Sequence, residues 1–473
     1  MTPIRSLGDA FYEPVRPATF PAATSRFRNA RWAARIGASA WTEREWTDRL
    51  ARFAPLPGNL EAPLALAYHG HQFRSYNPDI GDGRGFLYAQ MRDQVDKRLL
   101  DLGTKGSGTT PFSRGGDGRL TLKGGVREVL AAEGLEALGV YTSKALALHE
   151  THEALTRGDE PSPTRSSVLV RLSHSHVRFG TFQRLAFFED TENTERLLRY
   201  CCEHFYPDLA GLPSAEAAPA FLAAVAARSA RLAASWMAAG FVHGVLNTDN
   251  LTVTAESFDY GPWRFLPRMD PGFTAAYFDH TGLYAYGRQA EAVAWGLSRL
   301  GGALLPLSDE DALSEALSVF ASAYEDGIRA AFLGRLGLLP GTPAADLDLI
   351  QDLLRWMQAA GVPFERAMFD LRGAEAARLD QSPLAAAYAA APFADLRGRL
   401  AERDAAPRAL EHDYFAGAPE TLAIEEVERV WDGIDQADDW SAFGAKVAGL
   451  RRMGAAYGLR PLSAPGDHAP LVA

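Results

Sequence analysis

Residues 243–250 read His-Gly-Val-Leu-Asn-Thr-Asp-Asn, and nine residues past Asn250 the chain reads Asp259-Tyr260-Gly261. A loop Asn and an Asp in an Asp-aromatic-Gly turn both offer hard oxygen ligands. Such oxygens suit a Mg2+ ion that bridges nucleotide phosphates. Asp-Tyr-Gly alone is a common turn. Preceded at this distance by His243 and Asn250, it is far more specific.

The spacing from His243 to Asn250 is that of the catalytic loop of protein kinases, H-R-D-x-x-x-x-N. The Asp of that loop accepts a proton from the acceptor hydroxyl, and its Asn binds metal. Here the Asp position holds Val245, which accepts no proton. Three options follow: a kinase, an inactive kinase, or a kinase-shaped protein running a different reaction.

The chain before this loop has the order a kinase shape needs. Residues 80–125 are dense in glycine, and Gly81-Asp-Gly-Arg-Gly85 leads into the strand candidate GFLYAQM. A polar turn precedes RLLDLGTKG, a second strand candidate ending near Lys105. VREVLAAEGLEALG carries apolar residues at helical spacing, and SSVLVRLSHSHVRFGTF reads as a strand or a pair of strands. Beyond residue 190 the pattern is mostly helical, with an Ala-rich run at 215–240 and a helix around Gln289–Leu300. The expectation is an α+β, protein-kinase-like two-lobe fold. Its β-rich N-lobe would span 61–190 and its helical C-lobe 191–395, with extensions at 1–60 and 396–473.

Glycine lets backbone N–H groups approach phosphate oxygens because no Cβ intervenes. Gly81, Gly83 and Arg84 form such a turn, although GDGRG alone also reads as a plain hairpin turn. Lys105 lies 21 residues past Arg84, and Glu128 follows 23 residues later on the next helix. A strand Lys paired with a helix Glu is the kinase device for holding phosphates, with Glu133 as a rival partner. Residues 109–119, TTPFSRGGDGR, form a second glycine-rich loop with Asp117 and Gly118 as its best contacts. Arg171 and Arg178 sit seven apart. On one unbroken strand they would face opposite ways, but a turn near Ser173–Ser175 would bring both to one phosphate. Without such a turn they read as surface residues.

The net charge of −11 over 473 residues argues against a general nucleic-acid or anionic-membrane binder, so any phosphate site must be local. No apolar run approaches the ~20 residues needed to span a bilayer. The stretch 221–242 comes nearest but carries Arg228 and Arg231. The only cysteines, Cys201 and Cys202, are adjacent and read as buried thiols, which suits a reducing compartment. The Arg-rich residues 1–40 are interrupted by Asp9 and Glu13 and read as a clamped arm of a cytoplasmic enzyme. His149-Glu-Thr-His152 lacks the zinc-helix spacing, and neither G-x-x-x-x-G-K-[ST] nor G-x-S-x-G occurs.

Six motifs in order carry a resemblance: YHGHQFRSYNPDIGDGRG, TKGSGTTPFSRGGDGR, VREVLAAEGLEALG, VRLSHSHVRFGTF, HGVLNTDNLTVTAESFDYGP and YAYGRQAEAVAWGLSRL. With LGDAFY near the N-terminus, they resemble the selenoprotein O family (SelO, called YdiU in bacteria) as far as about residue 370. Residues 395–473 match that family poorly. The resemblance implies a kinase-fold protein adenylyltransferase in which ATP lies reversed, so that AMP is transferred to Ser, Thr or Tyr hydroxyls of proteins. It places nucleotide contacts on Gly81, Gly83, Arg84, Lys105, Asp117, Gly118, Arg171 and Arg178. Asn250 and Asp259 become the Mg2+ ligands, with Asp259 also at the nucleotide, and Asp249 becomes the proton acceptor. UTP for ATP and Mn2+ for Mg2+ remain open variants. Val245 argues against an ordinary kinase. The intact set of Lys105, Asn250 and Asp259 argues against a silent nucleotide-binding scaffold. Family members commonly end near a cysteine or selenocysteine; this chain ends PLSAPGDHAPLVA, which argues against a redox role for the tail.

Overall fold

A computed structural model describes residues 2–158, 160–462 and 464. The first half supplies ten strands: β1 (Tyr12–Pro14), β2 (Thr24–Arg28), β3 (Leu64–Leu66), β4 (Gly70–Gln72), β5 (Ser75–Asn77), β6 (Leu87–Arg92), β7 (Leu99–Lys105), β8 (Leu120–Thr121), β9 (Lys144–Leu155) and β10 (Thr164–Ser173). All but β4 and β5 join one antiparallel sheet in the order β1-β3-β6-β7-β10-β9-β2, with β8 also on β10. Both edges of this path come from the first 28 residues, so the clamped arm is part of the sheet. The helices α1 (Ala30–Arg35) and α2 (Glu43–Leu50) follow β2.

The strands β6 and β7 and their connecting polar turn lie where the apolar runs predict. All seven residues of β7 are buried, because this central strand is covered on both faces. The helix α3 (Leu122–Ala137) starts at Thr121, whose side chain accepts from Gly124 N–H as an N-cap. Gly125 lets α3 lie close against Leu148 and Ser167 of β9 and β10. The tail of SSVLVRLSHSHVRFGTF departs from expectation: β10 stops at Ser173, and Phe179 opens α4 (Phe179–Phe187). A short aromatic-rich run has no periodicity that separates strand from buried helix. Packing against the helix Gln289–Leu304 decides it here.

Helices dominate the second half: α5 (Thr191–Phe205), α6 (Ser214–Ala239), α7 (Gln289–Leu304) and α8 (Glu310–Leu336). Cys201 and Cys202 are buried free thiols on α5. Gly240 ends α6 in the left-handed conformation (φ 64°), the backbone a C-terminal cap requires. The chain then makes a two-residue strand with Arg264–Phe265 and releases residues 243–250 as a loop. Near the C-terminus, the helix Ser441–Tyr457 returns to α3, where Arg451 bonds Glu133 at 2.8 Å and Gly454 lies against Ala137. Glu133 is thus committed to structure, leaving Glu128 for Lys105. The tail beyond residue 464 lies outside the described residues. No helix among the described residues is long and apolar enough to cross a membrane.

Glu256 ties the segment after the 243–250 loop to the end of β10, accepting from His174 N–H at 2.6 Å. Burial pushes its carboxyl up to about 7 against the opposing pull of Lys144. The unfolded chain ionises Glu256 near 4.5, whereas the folded protein holds its proton until about 7. Its stabilisation is therefore full below 4.5 and lost as pH rises through 7. Glu256→Gln keeps the neutral form. Its Tm advantage over the parent should grow by on the order of 2 °C between pH 4.5 and 8, measured by calorimetry.

Candidate active site

Lys105, the last residue of β7, is buried and pairs with Glu128 of α3 and with Asp259, whose Oδ1 lies 2.5 Å from its Nζ. Glu128 is buried too, so the three groups form a charged cluster at the end of the sheet. Asp259 sits in the left-handed region (φ 65°), where its carboxylate meets Lys105 while Arg171 Nη1 stands 3.7 Å away. Burial alone would raise its pKa. Lys105, Arg171, Arg84 and Arg178 outweigh that and hold it well below the usual carboxylate range. It is an anion at neutral pH.

The 81–85 turn lies across the end of β7. Gly106 N–H donates to Arg84 O at 2.7 Å, and a Cβ on Gly85 would collide with the Thr104 carbonyl. The second glycine loop rests on the first: Ser113 Oγ donates to Gly83 O, Thr110 Oγ1 donates to Asp82 O, and Gly81 faces the Phe112 ring. That loop closes on itself, with Gly108 N–H donating to Gly118 O at 3.1 Å. Gly118 sits at φ 67° against the Gly108 backbone, a packing no side chain tolerates. Its neighbour Asp117 accepts from Arg119 N–H at 2.9 Å. It is exposed and pairs with Arg157 at 2.7 Å. Burial pushes Asp117 up, but the bonds from Arg157 and Arg119 N–H prevail and lower it.

Arg171 and Arg178 converge despite their odd spacing, because β10 ends at Ser173 and the turn held by Ser175 Oγ and Val177 N–H redirects the chain. Both guanidiniums stack on Phe258, at 5.1 and 4.9 Å, and Arg178 also lies 4.2 Å over Tyr68. Arg178 Nη2 donates to Asp82 at 3.0 Å and Nη1 to Asp249 O at 2.8 Å. Arg171 Nε and Nη1 and Arg178 Nε are buried without a hydrogen-bond partner. A buried N–H with no acceptor is costly, so these three donors fit an anionic ligand.

The two motifs that opened the sequence are joined through His243, whose Nε2 bonds Phe258 O at 2.9 Å. Asn250 Nδ2 donates to Val245 O at 3.0 Å, which leaves the Asn250 oxygen to serve as a ligand. Val245, at the position of the kinase Asp, therefore contributes through its backbone. Asp249 is buried, with Oδ1 unpartnered beneath Gly70, where a Cβ would come within 3.0 Å. Burial pushes its carboxyl up to about 6, with Arg178 pulling the other way.

The cover over Asp249 is the β4–β5 hairpin, which sequence reasoning did not resolve. Its His71 N–H donates to Thr248 Oγ1 at 2.7 Å and its Phe73 N–H to Asn247 Oδ1 at 3.0 Å. The turn is Phe73-Arg74, both left-handed (φ 49° and 64°). Tight hairpins normally announce themselves by Asn-Gly or Asp-Gly, and this one has neither. Asp82, Tyr68 and Phe258 were also missed; the signal for Asp82 was its place inside the glycine turn. A cavity of about 680 Å³ lined by His71, Gln183, Arg299 and Glu310 meets this site at the β4–β5 hairpin, through His71.

A family described as "Protein adenylyltransferase SelO" matches residues 1–451. The chain is 44% identical over 464 residues to the protein nucleotidyltransferase YdiU of Gloeobacter violaceus, with 94% of each chain covered. It is 51% identical over 322 residues to the YdiU of Synechocystis sp., covering 68% of this chain and 67% of that one. The YdiU of Synechococcus elongatus is 50% identical over 337 residues, 70% and 66% of the two chains. The family match thus runs to residue 451 and corrects the expectation that it fades from 395 onward. The region contributes helix packing, such as Ser441–Tyr457 on α3, and packing leaves no short motif to read. With the matched length and the identity of its relatives, the chain belongs to the SelO family of protein nucleotidyltransferases.

Proposed function

We propose that this nucleotidyltransferase moves AMP from ATP to Ser, Thr or Tyr hydroxyls of proteins, within a kinase-like two-lobe frame that holds ATP reversed. The observation that carries the reading is the pair Arg171 and Arg178. Their buried, unpartnered N–H groups sit around Phe258, next to the anionic Asp259. Guanidiniums held there suit the terminal phosphates, which an ordinary kinase directs outward. The α-phosphate is then left for the acceptor.

Asn250 and Asp259 would hold Mg2+, whose chemistry is to neutralise phosphate charge and polarise the phosphoryl oxygens. Lys105, oriented by Glu128, donates to phosphate oxygen. The acceptor oxygen bonds to the α-phosphorus as the bond to the β-phosphate bridging oxygen breaks. Pyrophosphate leaves, and Asp249 takes the hydroxyl proton. Positioning and charge stabilisation supply most of the rate in such transfers, so the loss of a base at Val245 does not preclude reaction.

The test uses ATP labelled at either the α- or the γ-phosphate, with Mg2+ and the purified protein. Retention of α-label on protein supports the proposal, and retention of γ-label alone refutes it. Within the same assay, Lys105→Ala should lower α-label transfer about a hundredfold and Glu128→Ala about tenfold, because the Glu only orients the Lys. A larger effect at Glu128 would overturn that division of roles.

A further inference from the structure

Three of the large apolar side chains exposed on this protein lie together: Phe73 is 36% exposed, Phe278 42% and Tyr277 81%. Phe278 packs edge-on against Phe73 at 5.8 Å and against Tyr277 at 5.1 Å. Single exposed apolar residues are ordinary, but a contiguous aromatic patch marks an interaction surface. We propose that these three rings form the platform on which the acceptor polypeptide docks, and that they select an apolar or aromatic side chain flanking the acceptor hydroxyl. This rests on the transferase reading above and extends it to the choice of acceptor.

The case for this occupant is the platform's physical continuity with the catalytic loop. Phe73 is the turn residue of the hairpin that covers Asp249. Its N–H and the hydroxyl of Tyr284, the latter at 2.8 Å, both bond Asn247 Oδ1, two residues before Asp249. Phe73 and Tyr284 themselves pack at 5.0 Å. Asp279 fixes the other side of the patch, accepting from Leu283 and Tyr284 N–H at 2.9 and 2.8 Å. Tyr277 and Phe278 are therefore held outward on a braced loop. The nearby cations Arg74 and Arg288 are both paired with Glu291. Glu291 and Asp279 together balance these two arginines, so an apolar flank gains more from this surface than a charged one.

The test measures α-label transfer from ATP to Ser-, Thr- and Tyr-centred peptides whose flanks are either Leu and Phe or Ser and Asp. The enzyme should prefer apolar flanks by about tenfold in kcat/KM. The double variant Tyr277→Ala/Phe278→Ala should lose that preference through a raised KM, with ATP affinity retained. Tyr277→Phe should keep the preference, since only the ring is used. Equal labelling of both peptide sets by the parent, or a preference that survives the double variant, would overturn the platform alone. Loss of labelling in Tyr277→Phe would make that hydroxyl part of the chemistry and also overturn it. An enzyme that binds ATP yet labels no peptide at all would remove the transferase reading, and the platform with it.

Discussion

Asp259→Ala loses nucleotidyl transfer by about a thousandfold or more, while the protein still folds and still binds ATP. The loss is expected because Asp259 is the carboxylate that faces both Lys105 and Arg171. If Asp259 holds the proposed Mg2+, its removal takes away the ion's one charged ligand, and the phosphate charge that builds during transfer is no longer balanced. The fold should survive because Asp259 is only partly buried and Lys105 keeps Glu128. Metal-free ATP should bind at least as well as to the parent, since a competing carboxylate has been removed from beside the guanidiniums. Three measurements decide it: label transfer, calorimetric Tm, and ATP affinity with and without Mg2+. Transfer within tenfold of the parent at an unchanged Tm would take Asp259 out of the site.

Much of this site could be read before the structure because its chemistry is local in sequence. Lys105 ends an apolar strand, Glu128 faces inward from a helix with clear periodicity, and His243, Asn250 and Asp259 keep fixed spacing. Such features need only nearest-neighbour propensity and side-chain chemistry to be recognised. The convergence of Arg171 and Arg178 was legible only as a condition, that the chain should turn near Ser173–Ser175. The turn is there, made by a side-chain bond from Ser175.

The remainder was hidden because it depends on contacts across the chain. The β4–β5 hairpin is held by Asn247 and Thr248, roughly 175 residues away along the sequence, and its left-handed Phe73-Arg74 turn has no glycine to signal it. Both edge strands of the sheet come from a Pro- and Arg-rich arm that carries little strand pattern of its own. Their conformation is set by the partners they meet, β3 and β9. The α4 segment likewise looked extended until packing decided for helix. Asp117, chosen by residue type and loop, gains a partner from far along the chain, Arg157.

Charge reversal at Arg171 separates the nucleotide's two ends. Arg171 Nε and Nη1 are buried and lack hydrogen-bond partners, so the side chain is poorly explained by folding alone. If it holds the terminal phosphates, Arg171→Glu should weaken ATP about a hundredfold, the loss of two charge-assisted bonds plus a repulsion. AMP has no such phosphates, and its affinity should change less than about threefold. Arg178 is a harder case, because it also carries Asp82 and the Asp249 carbonyl. Arg178→Gln therefore provides the second arm, with neutral loss in place of reversal and Tm followed alongside. Titration calorimetry with ATP, ADP and AMP gives a graded series. A penalty that grows from AMP to ADP to ATP assigns both arginines to the outer phosphates. An equal penalty for all three would place them at the α-phosphate or the nucleoside, and the reversed orientation of ATP would have to be given up.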